Sequence, residues 1–443
     1  MKQLDLKNTS IIKLFLSYFI PSFISMFVLS TDVIIDGIFI GKGIGETGLS
    51  AVGLVVPVFT FFTGFELLFG IGGAALVSIA LGNYKTFKAK VIFNSVIYFT
   101  TTFSILLGIL LFILREKVVI VLGTNEVLKP YTLEYLNVIL LGNAIIITQS
   151  ILCTFARNDK APNLTMISFI SGSVINIILN YIFIFIFKWG MFGAALSTII
   201  GHFIGLIIIL KHFLCKNGEL YFIKAFSLEA IKKSAINGIA PSMSEFAFGF
   251  IIMLMNIFLI KLGSQSGVAI LSIMMYIGVI CFTSILAISH GLQPIVSYNF
   301  GSKNLNRVLK TLKISLIFAT IIGIIIYIVL YLGISHIARI FLKEDTKILP
   351  DLITAVKIYY LGYLFLGANI IISAFLQAIS KVRGSIITSL SHNLFFMLIF
   401  LPLGAKLFGV NGIWLAYPLS LFCAFIVSVI VIRFELKGLK IER

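Results

Sequence analysis

Four carboxylates interrupt the apolar segments of this sequence and are its strongest candidates for chemistry. Asp32 and Asp36 stand four positions apart in the stretch STDVIIDGIFIG, so they share one face of a helix. Glu66 and Glu245 each lie inside a later apolar run. An ionised side chain at mid-membrane costs roughly 2.5–3.5 kcal/mol, so such acids are functional candidates. The alternative is that Asp36 reaches the outer membrane interface and that Glu66 and Glu245 are neutral, hydrogen-bonded structural residues.

The spacing of the aspartates indicates which chemistry they could perform. Two close carboxylates do not both ionise easily, so the pair can exchange a proton or share Na⁺ with amide oxygens. Asn176 and Asn180 have the same spacing and also share a helical face. Competition between the ion and a cationic substrate would link their movements. We therefore expect H⁺ or Na⁺ as a coupling ion, with Na⁺ at Asp36, and no cofactor or resident metal.

The elements that position these residues are predicted to be transmembrane helices. The 443-residue chain is 59% hydrophobic and only 12% charged. Apolar segments of membrane-spanning length recur along it, and in lipid the backbone must satisfy its own hydrogen bonds. We expect an all-α polytopic membrane protein with twelve transmembrane helices. They lie near residues 11–40, 49–81, 89–114, 130–155, 163–187, 191–214, 231–262, 267–298, 306–334, 351–379, 384–407 and 411–434.

The distribution of basic residues predicts the orientation. With the N-terminus in the cytoplasm, 23 of the 34 Lys and Arg fall in inner loops and 11 in outer loops. The positive-inside rule then places both termini in the cytoplasm of a multi-pass plasma (inner) membrane protein. The inner loops also account for the net charge of +17, so nucleic acid is not an expected partner. We expect a monomer whose partners are the lipid bilayer and small cationic organic substrates.

The second half of the chain repeats features of the first at a nearly constant offset. Pro21 recurs as Pro241 and Gly72 as Gly291, and the glycine that begins GMFGAAL recurs in GVNGIWL. The repeat predicts two homologous six-helix bundles, an N-lobe of spans 1–6 (1–214) and a C-lobe of spans 7–12 (231–443). Residues 215–230 form a cytoplasmic connector. Because six is even, the pseudo-two-fold axis should run along the membrane normal.

Other motifs do not support nucleotide, metal or enzyme chemistry. A GxGxxG pattern is formed by Gly43, Gly45 and Gly48, but no strand precedes it, as a dinucleotide-binding site would require. The same stretch is not a phosphate-binding loop, because Leu49 stands where that loop requires lysine. The four cysteines show no CxxC or disulfide spacing, so they are predicted to be packing residues. The chain has no recognisable catalytic set.

Three stretches resemble a known transporter family. GGAALVSIALG (72–82), GLQPIVSYNFG (291–301) and FGVNGIWLAYPLS (408–420) are similar to signatures of the multidrug and toxic compound extrusion (MATE) family, in particular its MepA-like and DinF-like branches. The resemblance covers essentially the whole chain. It implies a secondary active antiporter that exports cationic, often aromatic compounds in exchange for H⁺ or Na⁺, by rocking of two lobes around a central cavity.

The resemblance also implies roles for individual residues. Asp36 matches the span-1 aspartate of the family, and Asn176 and Asn180 match an Asn and an Asp, so the second acid is here an amide. Thr198 in GAALST matches a threonine that faces the N-lobe cavity, and His202 stands where glutamine is common.

The C-lobe offers fewer candidates. Glu245 could serve as the span-7 acid of NorM-like members. Asn256 in the same span and Glu66 in span 2 are the remaining candidate site residues. No acid occurs between Asp351 and Glu435, so the span-10 acid is missing. One alternative function is a channel or a non-transporting receptor, which predicts no dependence on a counter-ion. The other is a lipid-linked oligosaccharide flippase of the same superfamily. Its pyrophosphate cargo calls for basic residues, and we expect none beside the four intramembrane acids.

Overall fold

The twelve predicted spans are present in the computed structural model, which describes residues 5–341 and 348–441. Within these residues every regular element is helical, and eleven helices are long and apolar enough to cross a membrane. The last of them, 382–438, is broken at Gly409, whose backbone has φ 59° and ψ −135°. The break divides this helix into two spans. The prediction of an all-α membrane protein is confirmed.

The helices separate into two compact units. The first unit comprises Met1–Gly238 and Ser297–Asn304. Its helices are α1 (Ile11–Gly43), α2 (Glu46–Glu66), α3 (Gly72–Gly82), α4 (Thr86–Ile113), α5 (Arg115–Val121), α6 (Lys129–Asn158), α7 (Pro162–Tyr181) and α8 (Gly190–Leu214). One π-helical turn, Leu67–Ile71, joins α2 to α3, and another, Ile182–Ile186, follows α7.

The second unit comprises Ile239–Val296 and Leu305–Arg443. Its helices are α9 (Leu228–Lys261), α10 (Gln265–Gly301), α11 (Leu305–Phe341), α12 (Leu349–Tyr359), α13 (Tyr363–Ala378), α14 (Val382–Leu390) and α15 (Phe396–Ile441). The beginning of α9 and the end of α10 belong to the first unit. A 3₁₀ turn, Tyr360–Gly362, separates α12 from α13, and a π-helical turn, Ser391–Phe395, precedes α15.

The connector after α8 packs onto the first unit through its backbone. The buried carboxylate of Asp159 accepts hydrogen bonds from the backbone N–H groups of Glu219 (2.9 Å) and Leu220 (3.2 Å). Asn94 accepts one from the N–H of Ile223 at 3.1 Å and donates one to the carbonyl of Tyr221 at 3.1 Å. These bonds explain why the predicted connector 215–230 lies within the first compact unit. The two lobe boundaries themselves stay a prediction.

The sequence repeat has a backbone counterpart at two glycines. Gly190, at the start of α8, has φ +56°, and Gly409 has φ +59°. Glycine enters this left-handed region without the steric cost that a side chain imposes. Both halves therefore place a glycine with positive φ before their last span.

Candidate ion-coupling and substrate site

The contact between α1 and α7 joins the predicted span-1 aspartate to the predicted span-5 amide. Asn180 Nδ2 donates a hydrogen bond of 2.5 Å to Asp36 Oδ1, although the two residues are far apart in the sequence. One helical turn farther along α1, the ring of Phe39 packs against Tyr181 at 6.2 Å and against Phe185 at 5.7 Å between centroids. Asn180 is fully buried, whereas Asp36 is half-buried. The carboxylate is thus held from one side by an amide.

The close crossing of α7 and α8 adds the next two candidates. A Cβ at Gly172 would lie 2.8 Å from the carbonyl oxygen of Gly201, and a Cβ at Gly201 would lie 2.6 Å from that of Gly172. Only glycine permits this approach. One turn beyond the crossing, Asn176 Nδ2 donates to Thr198 Oγ1 at 3.2 Å. Thr198 in turn donates its hydroxyl hydrogen to the carbonyl of Ala194 at 3.2 Å.

A small pocket, with a cavity volume of about 20 Å³, lies among α1, α6, α7 and α8. It contains Asp32 and His202, which the sequence also singled out, together with Asn176 and Thr198. His202 Nδ1 lies 2.6 Å from Gln149 Oε1. The full lining is Leu29, Asp32, Gln149, Phe169, Gly172, Ser173, Asn176, Thr198, Gly201 and His202. The fold therefore brings Asp32, Asn176, Thr198 and His202 together.

Buried oxygen atoms without hydrogen-bond donors mark this region. In the described part of the chain, Oδ1 of Asp32, of Asn176 and of Asn180 are each buried and have no hydrogen-bond partner. Buried polar groups are nearly always paired, so three unpaired oxygens in one region need an explanation. Carboxylate and amide oxygens are ligands of hard cations, and they accept hydrogen bonds from a protonated group. The site can therefore receive a small cation or a hydrogen-bond donor.

Comparison with known proteins identifies the family. The MatE family model matches the chain twice, over residues 21–182 and 241–403. These ranges cover most of the chain, and they begin at the repeated prolines Pro21 and Pro241. The chain belongs to the MatE family. It is therefore a transporter rather than an enzyme, as the sequence predicted.

Known relatives agree with this chain in length. The chain is 27% identical over 436 residues to the Multidrug export protein MepA of Staphylococcus haemolyticus (strain JCSC1435), covering 96% of this chain and 94% of that protein. It is 26% identical over 439 residues to the MepA of Staphylococcus aureus (strain MRSA252), with the same coverage.

Two solved structures superpose on the whole chain. One is described as the outward-facing conformation of a multidrug resistance MATE family transporter of the MOP superfamily, with a TM-score of 0.94, 21% identity and 99% coverage of both chains. The other is a MOP superfamily transporter from Pyrococcus furiosus Vc1 (DSM3638), with a TM-score of 0.93, 21% identity and 99% coverage of both. At this identity they show the fold, and the fold is that of MATE transporters.

Glu66, at the end of α2, lies apart from the Asp32 pocket of this MATE protein. Its Oε1 accepts a hydrogen bond of 2.6 Å from Ser150 on α6. Arg157, two turns farther along α6, is only 5% exposed and interacts electrostatically with Glu66. The expectation that no basic side chain accompanies the intramembrane acids is therefore wrong for Glu66. The physical reason is that α6 continues to Asn158, beyond the predicted end of its span, so Arg157 is buried in the helix packing instead of lying exposed in the predicted inner loop.

Glu245 and Asn256, both on α9, belong to the second unit. Each is half-buried, and neither side chain makes a hydrogen bond within the part of the chain that the structure describes. Ser244, the neighbour of Glu245, does make one, to Ser389 on α14. Among the described residues, the structure therefore shows no polar cluster around Glu245 comparable to that around Asp36.

Sequence reasoning missed two polar residues of the first unit. Gln149 and Ser168 lie in the apolar spans α6 and α7, and both are buried. Gln149 contacts His202 and also donates to Ser168 at 3.1 Å. A single amide or hydroxyl within an apolar span looks like a packing residue in the sequence. Only the contact across helices distinguishes it.

Proposed function

We propose that this chain is a secondary active antiporter that exports cationic, often aromatic organic compounds in exchange for H⁺ or Na⁺. The observation that carries the proposal is the 2.5 Å hydrogen bond between Asn180 and Asp36, beside buried oxygens that lack donors. Membership of a transporter family and similarity to proteins named multidrug export protein MepA support it.

The coupling ion occupies the surroundings of Asp36. A proton neutralises the carboxylate, while Asn180 stays hydrogen-bonded to it. Na⁺ would instead use oxygen ligands, and Oδ1 of Asn176 and of Asn180 are available because neither has a donor in the described residues. Either ion removes the cost of an unneutralised carboxylate in the membrane. H⁺ and Na⁺ are cargo here, bound on one side of the membrane and released on the other.

Exchange follows from competition for the same negative charge. A cationic substrate near Asp32 and Asp36 is stabilised by their charge, and an ion bound there cancels that attraction. By linkage, each ligand weakens the binding of the other by the same factor. Alternating access of the two six-helix halves then moves the substrate outward and the ion inward. The excess of basic residues in the inner loops supports the proposal of cytoplasmic termini in a plasma membrane protein, and we propose that the transporter works as a monomer.

The oligosaccharide flippase is the alternative that the test must exclude. An anionic pyrophosphate cargo requires exposed bases in the binding pocket. Among the described residues, Arg157 is the one buried lysine or arginine, it interacts with Glu66, and it does not line the pocket of Asp32. The lining of that pocket holds one acid and no Lys or Arg.

Efflux from proteoliposomes tests the proposal. Ethidium export is measured with a proton gradient alone, a sodium gradient alone, and neither, for the wild type and for Asp36→Asn. We expect one gradient to drive export by the wild type and neither to drive export by Asp36→Asn. Asp351→Asn, which removes an exposed carboxylate at the start of α12, is the matched control and should behave as wild type. Gradient-independent export, or export by Asp36→Asn with normal ion dependence, contradicts the proposal.

A further inference from the structure

A chain of hydrogen bonds fixes which nitrogen of His202 carries a proton. Ser168 donates its single hydroxyl hydrogen to the backbone carbonyl of Gly205 at 2.8 Å, and a carbonyl oxygen can only accept. Ser168 must therefore accept from Gln149, whose Nε2 lies 3.1 Å away. The amide then turns its oxygen Oε1 toward His202 Nδ1, at 2.6 Å. An acceptor at this distance requires a hydrogen on Nδ1.

Gly205 makes this arrangement possible. A Cβ at this position would lie 2.0 Å from Gln149 Nε2 and 2.9 Å from the carbonyl oxygen of Ser168. The amide of Gln149 thus lies directly against the backbone of α8, where it cannot rotate without losing both of its partners. Its orientation is set by the fold rather than by the ligand.

With this tautomer of His202, most of the free polar atoms around the pocket are hydrogen-bond acceptors. With the hydrogen on Nδ1, the neutral ring of His202, a residue of the pocket lining, keeps a lone pair on Nε2. Asp32 Oδ1 and Asn176 Oδ1 are buried there without donors in the described part of the chain. Thr198 uses its hydroxyl hydrogen on the carbonyl of Ala194. Ser173 also lines the pocket, and its hydroxyl, which has no partner among the described residues, can donate to one of these acceptors. Because more acceptors than donors remain, the pocket favours a ligand that supplies hydrogen-bond donors and, opposite Asp32, positive charge.

We propose that Gln149 and Ser168 are positioning residues that hold the Nε2 lone pair of His202 toward the pocket, so that Asp32 and His202 together select a protonated amine over a quaternary ammonium. The proposal rests on the proposed export of organic cations and names the substrate class within it. Both classes carry the charge that Asp32 attracts, but only the protonated amine has an N–H to donate. A site that is built to hydrogen-bond a ligand rejects an analogue without the donor, because its acceptors stay unpaired.

Two fluorescent probes that differ by one methyl group test the selection. The first is a naphthalimide with a dimethylaminopropyl chain, which is protonated at neutral pH, and the second carries a trimethylammoniopropyl chain. Their affinities for the purified protein in nanodiscs are measured at one pH. We expect the wild type to bind the protonated amine about tenfold more tightly, the equivalent of about 1.4 kcal/mol.

Variants separate positioning from a structural role. In Gln149→Met, we expect the affinity ratio to fall from about ten to about one, chiefly because the protonated amine binds more weakly. Ser168→Ala should lower the ratio by a smaller factor, since the amide keeps its contact with His202. Asn369→Leu is the matched control, because Asn369 is a buried amide on α13, outside the pocket, that donates to the carbonyl of Leu421 at 3.0 Å. It should leave the ratio at the wild-type value.

The nitrogen resonances of His202 give a second readout that a structural role would not change. In ¹⁵N-histidine-labelled protein, with His202→Gln used for assignment, we expect the Nδ1–H tautomer in the wild type and a tautomer mixture in Gln149→Met. Equal affinities of the two probes for wild type, or an unchanged ratio in a folded Gln149→Met, overturn the inference while the export proposal stands. If neither probe binds to the wild type, both proposals fail.

Discussion

The two halves of the chain carry different side chains at positions that the repeat makes equivalent. In the register that aligns Pro21 with Pro241, Asp36 on α1 corresponds to Asn256 on α9, and Asp32 corresponds to Ile252. Asp36 is hydrogen-bonded to Asn180, whereas Asn256 makes no side-chain hydrogen bond in the described residues. The acidic pair of the first half therefore has no counterpart in the second.

The amide and hydroxyl residues near the acids of the first half are also not repeated in the second half. In the register that aligns Gly190 with Gly409, Asn180 corresponds to Ile399 and Thr198 to Tyr417. Tyr417 is stacked on Tyr359 with ring centroids 4.1 Å apart, against the buried core of the second unit. The amide of Asn180 and the hydroxyl of Thr198 are thus replaced in the other half by the exposed side chain of Ile399 and the stacked ring of Tyr417.

This difference indicates that the repeat preserves the scaffold but not the chemistry. Both halves keep the left-handed glycine before the last span, at Gly190 and Gly409. An intramembrane carboxylate is costly, so it persists only where it has a use. We infer that the coupling ion binds in the first half.

Exchanging the equivalent residues should have the largest effect. Asp36→Asn gives the first half the amide that the second half has, and it removes the carboxylate to which Asn180 donates. We expect gradient-driven efflux to fall at least about tenfold, since a charged hydrogen bond contributes about 1.5–3 kcal/mol. Adding Asn256→Asp should not restore it. Recovery of efflux in the double variant would show that the halves are interchangeable.

Removing the amide should have a smaller effect. Asn180→Ala leaves Asp36 able to change its charge but deprives it of a donor and of a nearby oxygen. We expect the affinity for the coupling ion, measured from the dependence of efflux on ion concentration, to fall about tenfold, with export still gradient-driven. Ile399→Ala, at the equivalent position of the second half, is the control and should retain wild-type affinity. Equal losses of ion affinity in the two variants would contradict the proposal that the ion binds in the first half only.

The two aspartates of the first half are expected to have different roles, Asp32 in substrate binding and Asp36 in ion coupling. Asp32 lines the pocket with His202, while Asp36 is bonded to Asn180. We expect Asp32→Asn to weaken substrate binding but to leave efflux responsive to the ion gradient, and so to be less severe than Asp36→Asn. Substrate affinity and ion dependence are measured on the same preparation. A loss of coupling as complete as that of Asp36→Asn would mean that the two carboxylates share the ion.

The two glutamates should have the smallest effects. We expect Glu245→Gln to reduce efflux moderately, by about threefold, and Glu66→Gln to change it less than about twofold, because Ser150 can still donate to the amide oxygen. Glu66→Gln should instead lower the unfolding temperature, since buried Arg157 loses a nearby negative charge. Efflux and thermal unfolding at matched expression check both expectations. A Glu66→Gln protein that is stable but inactive would move Glu66 into the transport mechanism.

The fold could be predicted from the sequence because its signals are local. Span length, basic loops and repeated glycines predict twelve helices and two halves, and the helix break at Gly409 falls between the predicted spans 384–407 and 411–434. Asp36, Asn176, Asn180 and Thr198 were candidates through their resemblance to family residues. The contacts among Ser168, Gln149 and His202 were not predicted, because they cross three helices and depend on how closely α8 approaches at Gly205.

The dependence of substrate binding on the coupling ion tests the central claim most directly. Ethidium affinity is measured at equilibrium on the purified protein in nanodiscs, once as a function of pH at fixed Na⁺ and once as a function of Na⁺ at fixed pH. For the wild type, we predict that affinity falls as the coupling ion, H⁺ or Na⁺, becomes more concentrated, because ion and substrate compete for the charge around Asp36. For Asp36→Asn, we predict a weaker affinity that is the same at all concentrations of that ion. An undiminished ion dependence in Asp36→Asn would contradict coupling in the first half.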